Sequence, residues 1–108
     1  MLAKNFEFVR SQKVPAHMED TINAFLKTHS YRFANQCESP TTKKVVVTVF
    51  GEPVEDEKKA TVRAKVFRSH TFEIAEKNVN EFLAEKIKLK WMTQTFIDNT
   101  ITTVIFYE

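Results

Sequence analysis

Glycine is nearly absent from this chain of 108 residues, in which Gly51 is the single example. Loops that cradle phosphate groups need several glycines, because their backbone must approach the ligand closely or adopt a positive φ. The shortage of glycine therefore excludes P-loop and dinucleotide-binding sites.

Cysteine, histidine and long apolar runs are scarce as well. Cys37 is the single cysteine and cannot form an internal disulfide, and the three histidines lack metal-ligand spacing. No apolar run approaches the ~20 residues that span a bilayer, and the first residues contain no apolar signal segment. We therefore expect a protein of the reducing cytoplasm, with no membrane partner, no metal and no cofactor.

Neither sign of charge is in excess, since 16 basic residues face 14 acidic ones and the net charge is +2. This balance does not require a nucleic acid or an acidic surface as partner. The hydrophobic share of 43% is ordinary for a globular protein. A chain of this length can bury a core without disulfides, so we expect one compact domain.

The sequence contains an internal duplication of one small unit. Each half has an apolar stripe at helical spacing, and the two stripes differ by a constant 57 positions (Met18 to Ala75). The stripes consist of Met18, Ile22, Phe25 and Leu26 in the first half and Ala75, Val79, Phe82 and Leu83 in the second. They predict helices over about residues 15–28 and 71–85.

Apolar, β-branched segments flank both helices and predict three strands in each half. The predicted strands are 6–11, 31–36 and 45–50 in the first half and 64–69, 89–94 and 101–106 in the second. We match the first strands at an offset of 58 (Arg10 to Arg68), the second at 58 (Gln36 to Gln94) and the third at 56 (Phe50 to Phe106).

The predicted fold class is therefore α+β, with two tandem β-α-β-β units related by a pseudo-twofold. The units cover residues 1–52 and 60–108, and a charged connector covers 53–59. The third strand of each unit is the most apolar, so we expect it to lie centrally and antiparallel to the other two. This arrangement gives two three-stranded sheets or one six-stranded sheet.

Both faces of these central strands are apolar, which indicates that both are covered. Val45, Val47 and Val49 can face the helix, while Val46 and Phe50 face the other way. The second face must meet the other unit, another subunit or a ligand. We therefore expect a homo-oligomer or a sandwich of the two units.

The second half resembles a family of very short sporulation-associated proteins of Bacillus relatives, which are single β-α-β-β units without an assigned biochemical role. The residues that carry this resemblance are 64–67 (Ala-Lys-Val-Phe), 80–83 (Asn-Glu-Phe-Leu) and 104–107 (Val-Ile-Phe-Tyr). In topology alone the chain also resembles dodecin, a flavin-binding assembly of β-α-β-β subunits. In style it is similar to small phage proteins that sequester nucleotide immune signals.

A repeated Arg-Ser pair is the first candidate site. Arg10-Ser11 and Arg68-Ser69 each end a predicted strand just before a helix. Helix N-termini favour anions, and arginine adds a planar donor for phosphate or carboxylate. Two paired anion sites are one interpretation. The other is that Ser or Thr71 caps a helix and the arginine pairs with a surface carboxylate.

Repeated amides are the second candidate, namely Asn23 with Asn80 and Gln36 with Gln94. They could line a groove between the units, or they could simply hydrogen-bond backbone and water. Phe33 and Trp91 are a matched aromatic pair that could stack bases, although no RNP-type motif accompanies them and nucleic acid is the less favoured partner.

These patterns predict a small, non-enzymatic binding or regulatory protein that acts through protein–protein contacts, as a homo-oligomer or with a different protein. The alternative is a binder of a small anionic or nucleotide ligand with paired sites, such as a phage anti-defence protein. A single-stranded nucleic-acid binder is the third reading.

Overall fold

The computed structural model describes residues 1–9 and 14–108, and its elements follow the predicted order. These elements are β1 (Leu2–Val9), α1 (Val14–Leu26), β2 (His29–Ser39), β3 (Lys44–Pro53), a short 3₁₀ helix (Glu57–Lys59), β4 (Arg63–Ser69), α2 (Phe72–Ala84), β5 (Leu89–Ile97) and β6 (Thr100–Tyr107). The prediction of an α+β fold with two similar units is confirmed.

Each unit forms its own three-stranded sheet, in the order β1-β3-β2 for the first sheet and β4-β6-β5 for the second. All neighbouring strands are antiparallel. The third strand of each unit is therefore central, as its apolar sequence predicts, because a central strand is shielded by a neighbour on each side.

The second and third strands match between the units as predicted. Both second strands have a register irregularity at the same place, between Tyr31 and Phe33 in β2 and between Leu89 and Trp91 in β5. The hairpins differ in their turns. Asp98 and Asn99 form a two-residue turn in which both φ angles are positive, as a type I′ turn requires.

The first strands match at an offset of 61 residues (Phe6 to Phe67), so the predicted offset of 58 is wrong. Phe6 pairs with Val47 and Phe67 pairs with Thr103, and these two partners are themselves equivalent. The counterpart of Arg68 is therefore Glu7. The Arg-Ser repeat was misleading because strands are aligned by their backbone pairing, which two shared letters do not determine.

A single core joins the two units. In the first unit, β3 directs Val45, Val47 and Val49 towards α1, whose Met18, Ile22 and Leu26 are fully buried. The second unit lies beside α1 and contributes Val62, Ala64, Val66, Val104 and Phe106 to this core. The first sheet thus carries α1 and the second sheet side by side on one face.

The second helix lies on the opposite face of the second sheet, outside this core. Phe82 packs edge-on against Phe67 and Tyr107, with ring centroids 5.9 and 5.0 Å apart. Ala75 is the one fully buried side chain of α2. Neither α1 nor α2 is long and apolar enough to cross a membrane.

Candidate interaction surface

Helix α1 holds the open edge of β4 through two polar side chains. The amide of Asn23 donates to the carbonyl oxygen of Ala64 (3.0 Å) and accepts from its N–H (2.7 Å). Glu19 accepts from the N–H of Val66 at 2.9 Å. An edge strand presents unpaired backbone groups. Here the helix side chains replace the neighbouring strand.

Gln36 joins the two sheets at the other end of the same interface. Its Nε2 donates to Thr95 Oγ1 (2.8 Å) and to the carbonyl of Thr102 (3.1 Å), and its Oε1 accepts from Thr93 Oγ1 (2.8 Å). These partners use most of the bonding capacity of one amide. In the first unit, the predicted amides Asn23 and Gln36 therefore hold the second unit in place.

The equivalent side chains of the second unit face solvent. Glu76 and Asn80 match Glu19 and Asn23 at the helix offset of 57. Both are exposed and form no hydrogen bond to any residue that the structure describes. With Gln94 they border a shallow groove of ≈ 300 Å³ between α2 and β5, whose remaining lining residues are Phe72, Ala75, Val79 and Met92.

Large apolar side chains surround this groove. Phe72 is 58% exposed and Phe96 is 53% exposed, and their rings lie 5.2 Å apart. Met92 is also exposed. We call this surface, made of Phe72, Met92 and Phe96, the α2–β5 face. Clusters of large exposed apolar residues in one place are typical of interaction sites.

The local sequence explains why Phe72 stands at the surface. Thr71 is the N-cap of α2, and its hydroxyl accepts from the N–H of Ile74 at 3.1 Å. This cap begins the helix at Phe72, whose side chain is mostly exposed. Phe72 therefore packs on Phe96 at the rim and not in the core.

Of the two predicted Arg-Ser anion sites, the structure describes only Arg68 and Ser69. Arg68 and Ser69 are consecutive strand residues, opposite Thr102 and Ile101, so their side chains point to opposite faces of the sheet. Thr71, and not Ser69, caps α2. Arg10 and Ser11 lie outside the described residues.

A polar cleft of ≈ 390 Å³ lies between the units, with Arg32, Lys59 and Lys90 among its lining residues. Two of these cations already have carboxylate partners, since Arg32 lies 2.7 Å from Glu52 and Lys90 lies 2.9 Å from Glu108. Hydrogen bonding to Arg32 lowers the pKa of Glu52. Hydrogen bonds from Thr61 and then Lys90 lower the pKa of Glu108.

The matched aromatics Phe33 and Trp91 contact each other at the junction of the two sheets, with centroids 5.5 Å apart. Each ring is 45% exposed, so the pair contributes to both the junction and the surface. The structure thus brings together this predicted pair, whereas it places Asn80 and Gln94 far from Asn23 and Gln36, in the second unit's own groove.

The α2–β5 face is the feature that sequence reasoning missed, although a signal for it exists. Comparing the repeats shows where apolar residues of the second unit replace polar or small ones of the first. Phe96 stands where β2 has Glu38. A large apolar side chain that replaces a polar one and is exposed in its own unit indicates a candidate contact surface.

Fold and surface together define a class of protein, a duplicated β-α-β-β domain with one covered and one open helix–sheet face. Within the described residues, no three His, Cys, Asp or Glu side chains are grouped so as to hold a metal ion. Comparison with family models, with curated proteins and with solved structures finds no match to this chain.

Proposed function

We propose that this chain is a non-enzymatic binding or regulatory protein that acts through protein–protein contacts, and that the α2–β5 face is its contact surface. One observation carries the proposal. The helix–sheet face of the first unit is covered by a protein sheet, and its counterpart in the second unit is open and more apolar.

The chemistry of the open face suits a polypeptide. Burying an exposed phenylalanine is worth about 1.5–3 kcal/mol, so Phe72 and Phe96 supply a substantial apolar contribution. Glu76, Asn80 and Gln94 supply polar groups that can satisfy the backbone of a bound segment. An apolar centre with a few polar groups is the usual anatomy of a protein interface.

A small anionic ligand is the second candidate, and the cleft beside Arg32, Lys59 and Lys90 favours it. The carboxylates of Glu52 and Glu108 weaken this candidate, because they neutralise two of the three cations. An anion would have to displace these carboxylates, which costs binding free energy. The protein-contact proposal therefore has the stronger support.

Site-specific photocrosslinking tests the proposed contact surface. We expect benzoylphenylalanine in place of Phe96 to crosslink to protein in an extract of cells that express the chain. The matched probe in place of Thr41, which lies in the exposed β2–β3 turn, should give no such product. A Met92→Glu change in the Phe96 probe should abolish the crosslink, because it places a charge within the apolar contact. Equal crosslinking from both positions would contradict the proposal.

The compartment is part of the same proposal. We place the protein in the cytoplasm, because a single exposed thiol, Cys37, suits a reducing environment.

A further inference from the structure

The contact between α1 and β4 provides a template for what the α2–β5 face binds. Three interactions make this contact. The side-chain amide of Asn23 hydrogen-bonds to both the N–H and the C=O of Ala64. The carboxylate of Glu19 accepts from the N–H of Val66 and forms an ion pair with Lys65 at 3.7 Å. The helix half of this contact is repeated at Asn80 and Glu76.

The strand half is repeated too, in β1. At the first-strand offset of 61, Ala3-Lys4 matches Ala64-Lys65, and Phe6 matches Phe67. Ala3 pairs with Phe50, and Ala64 pairs with Phe106. Phe50 and Phe106 are themselves equivalent positions of the two central strands. In both strands the alanine therefore directs its free N–H and C=O groups away from the sheet.

β1 is an open edge strand in the described part of the chain, and Ala3 and Lys4 are exposed. Lys4 and Glu76 carry opposite charges at the positions equivalent to the Lys65–Glu19 pair. Neither has an ion-pair partner among the residues that the structure describes. The strand edge and the helix surface are thus complementary in charge as well as in backbone bonding.

The sheet faces next to these edges are also equivalent. In the internal contact, Tyr31 stacks on Phe106 at 5.0 Å. The counterparts are exposed Leu89 on the α2 side of the second sheet and half-buried Phe50 on the outer face of the first sheet. Phe33 and Val9 leave further apolar surface on that outer face.

We propose that the partner of the α2–β5 face is a second copy of this chain, bound head to tail. β1 of one copy lies along α2 of the next, with Ala3 bonded to Asn80 and Lys4 paired with Glu76. This inference rests on the proposed function and names its partner. A head-to-tail interface uses two different surfaces, so it closes into a ring or continues as an open chain.

Sedimentation velocity of the purified chain over a range of concentrations tests the proposal. The wild type is expected to associate, and Ala3→Pro and Asn80→Ala are each expected to weaken association on the order of tenfold, because each removes backbone bonds of the interface. Proline is tolerated on the free side of an edge strand, so Ala3→Pro should still fold. Asn78→Ala is the matched control on the same helix and should associate like the wild type.

Charge reversal distinguishes a head-to-tail contact from other contacts. Lys4→Glu and Glu76→Lys should each weaken self-association, since like charges then face each other. Mixing the two variants should restore association, because each copy of one variant can meet the other through either the original Lys4–Glu76 pair or its reversed form. The double variant should recover association through the reversed pair. Lys77→Glu is the control for an unrelated charge change.

Failure of this inference can be told apart from failure of the proposed function. A wild type that stays monomeric at every concentration, or a mixture of the two charge variants that associates no better than either variant alone, would overturn the head-to-tail arrangement. If Phe96→Glu abolishes association while Lys4→Glu does not, the α2–β5 face is an interface but β1 is not its occupant. If neither change affects association and the Phe96 probe gives no crosslink, both proposals fall.

Discussion

The two helices of this protein have the same apolar stripe but different surroundings. Met18, Ile22 and Leu26 of α1 are fully buried, whereas of their counterparts in α2 only Ala75 is, and Val79 and Leu83 remain half-buried. The difference lies in what covers each helix–sheet face. The first is covered by the second sheet, and the second is covered by no described element.

This difference shows that the duplicated polar residues are not equivalent in role. Asn23 and Gln36 bond to the second unit, while Asn80 and Gln94 border an open groove. The same residue type is therefore a structural element in one copy and a candidate contact in the other. Sheet faces differ accordingly, because the covered face of the second sheet has Val66 and Val104 where the first sheet has Asn5 and Thr48.

The largest expected effect on stability comes from substitutions at equivalent phenylalanines of the two central strands. Phe106 is fully buried against Tyr31, and its counterpart Phe50 is half-buried. We expect Phe106→Ala to lower the free energy of unfolding by about 3–5 kcal/mol, because it leaves a cavity in the shared core. Phe50→Ala should cost about 1–2 kcal/mol, since less area is lost from burial. Urea unfolding of both variants measures this contrast, and equal losses would contradict it.

The next contrast concerns the helix amides. Asn23→Ala leaves the N–H and C=O groups of buried Ala64 without hydrogen-bond partners. We therefore expect a loss of about 2 kcal/mol in the free energy of unfolding. Asn80→Ala should change stability by less than about 0.5 kcal/mol, as is usual for exposed positions. Thermal unfolding at low protein concentration, where self-association does not contribute, provides the comparison. A destabilised Asn80→Ala monomer would show that the two amides act alike.

The smallest effect is a change in alkaline stability through Tyr31, whose counterpart is Leu89. Burial raises the pKa of Tyr31 from 10.0 to about 12. The unfolded chain therefore loses this proton first, and the stability that neutral Tyr31 supplies is present below pH 10 and is lost as the pH rises towards 12. Tyr31→Phe should flatten the decline in unfolding midpoint between these values. Leu89→Phe is the control and should leave the decline unchanged.

Much of the fold was predictable from local pattern. The helix stripe and the β-branched third strands predicted both helices, both central strands and their antiparallel pairing, because periodicity follows from which face is buried. The start of the first strand was mispredicted, with residue 6 expected and Leu2 observed. The repeated Arg-Ser letters suggested an offset of 58, while the pairing of Phe6 and Phe67 with their central strands shows 61.

The candidate site was predicted in part. Asn80 and Gln94 were singled out from the repeat, and they do lie at the proposed contact surface. The reason for their difference from Asn23 and Gln36 was not visible, since it depends on where the second sheet sits. Phe72 and Phe96 were missed because an isolated apolar residue in a sequence does not indicate whether a neighbour covers it.

By itself, the amino-acid sequence determined that the chain is a duplication, which residues form each helix and central strand, and which polar residues recur. These properties depend on the spacing of residues along the chain, because that spacing determines which side chains share a face of a helix or strand. The tertiary structure decided which copy of each repeated residue is used internally. Only one of two equivalent helix–sheet faces can receive the single second sheet, and the other is therefore left open.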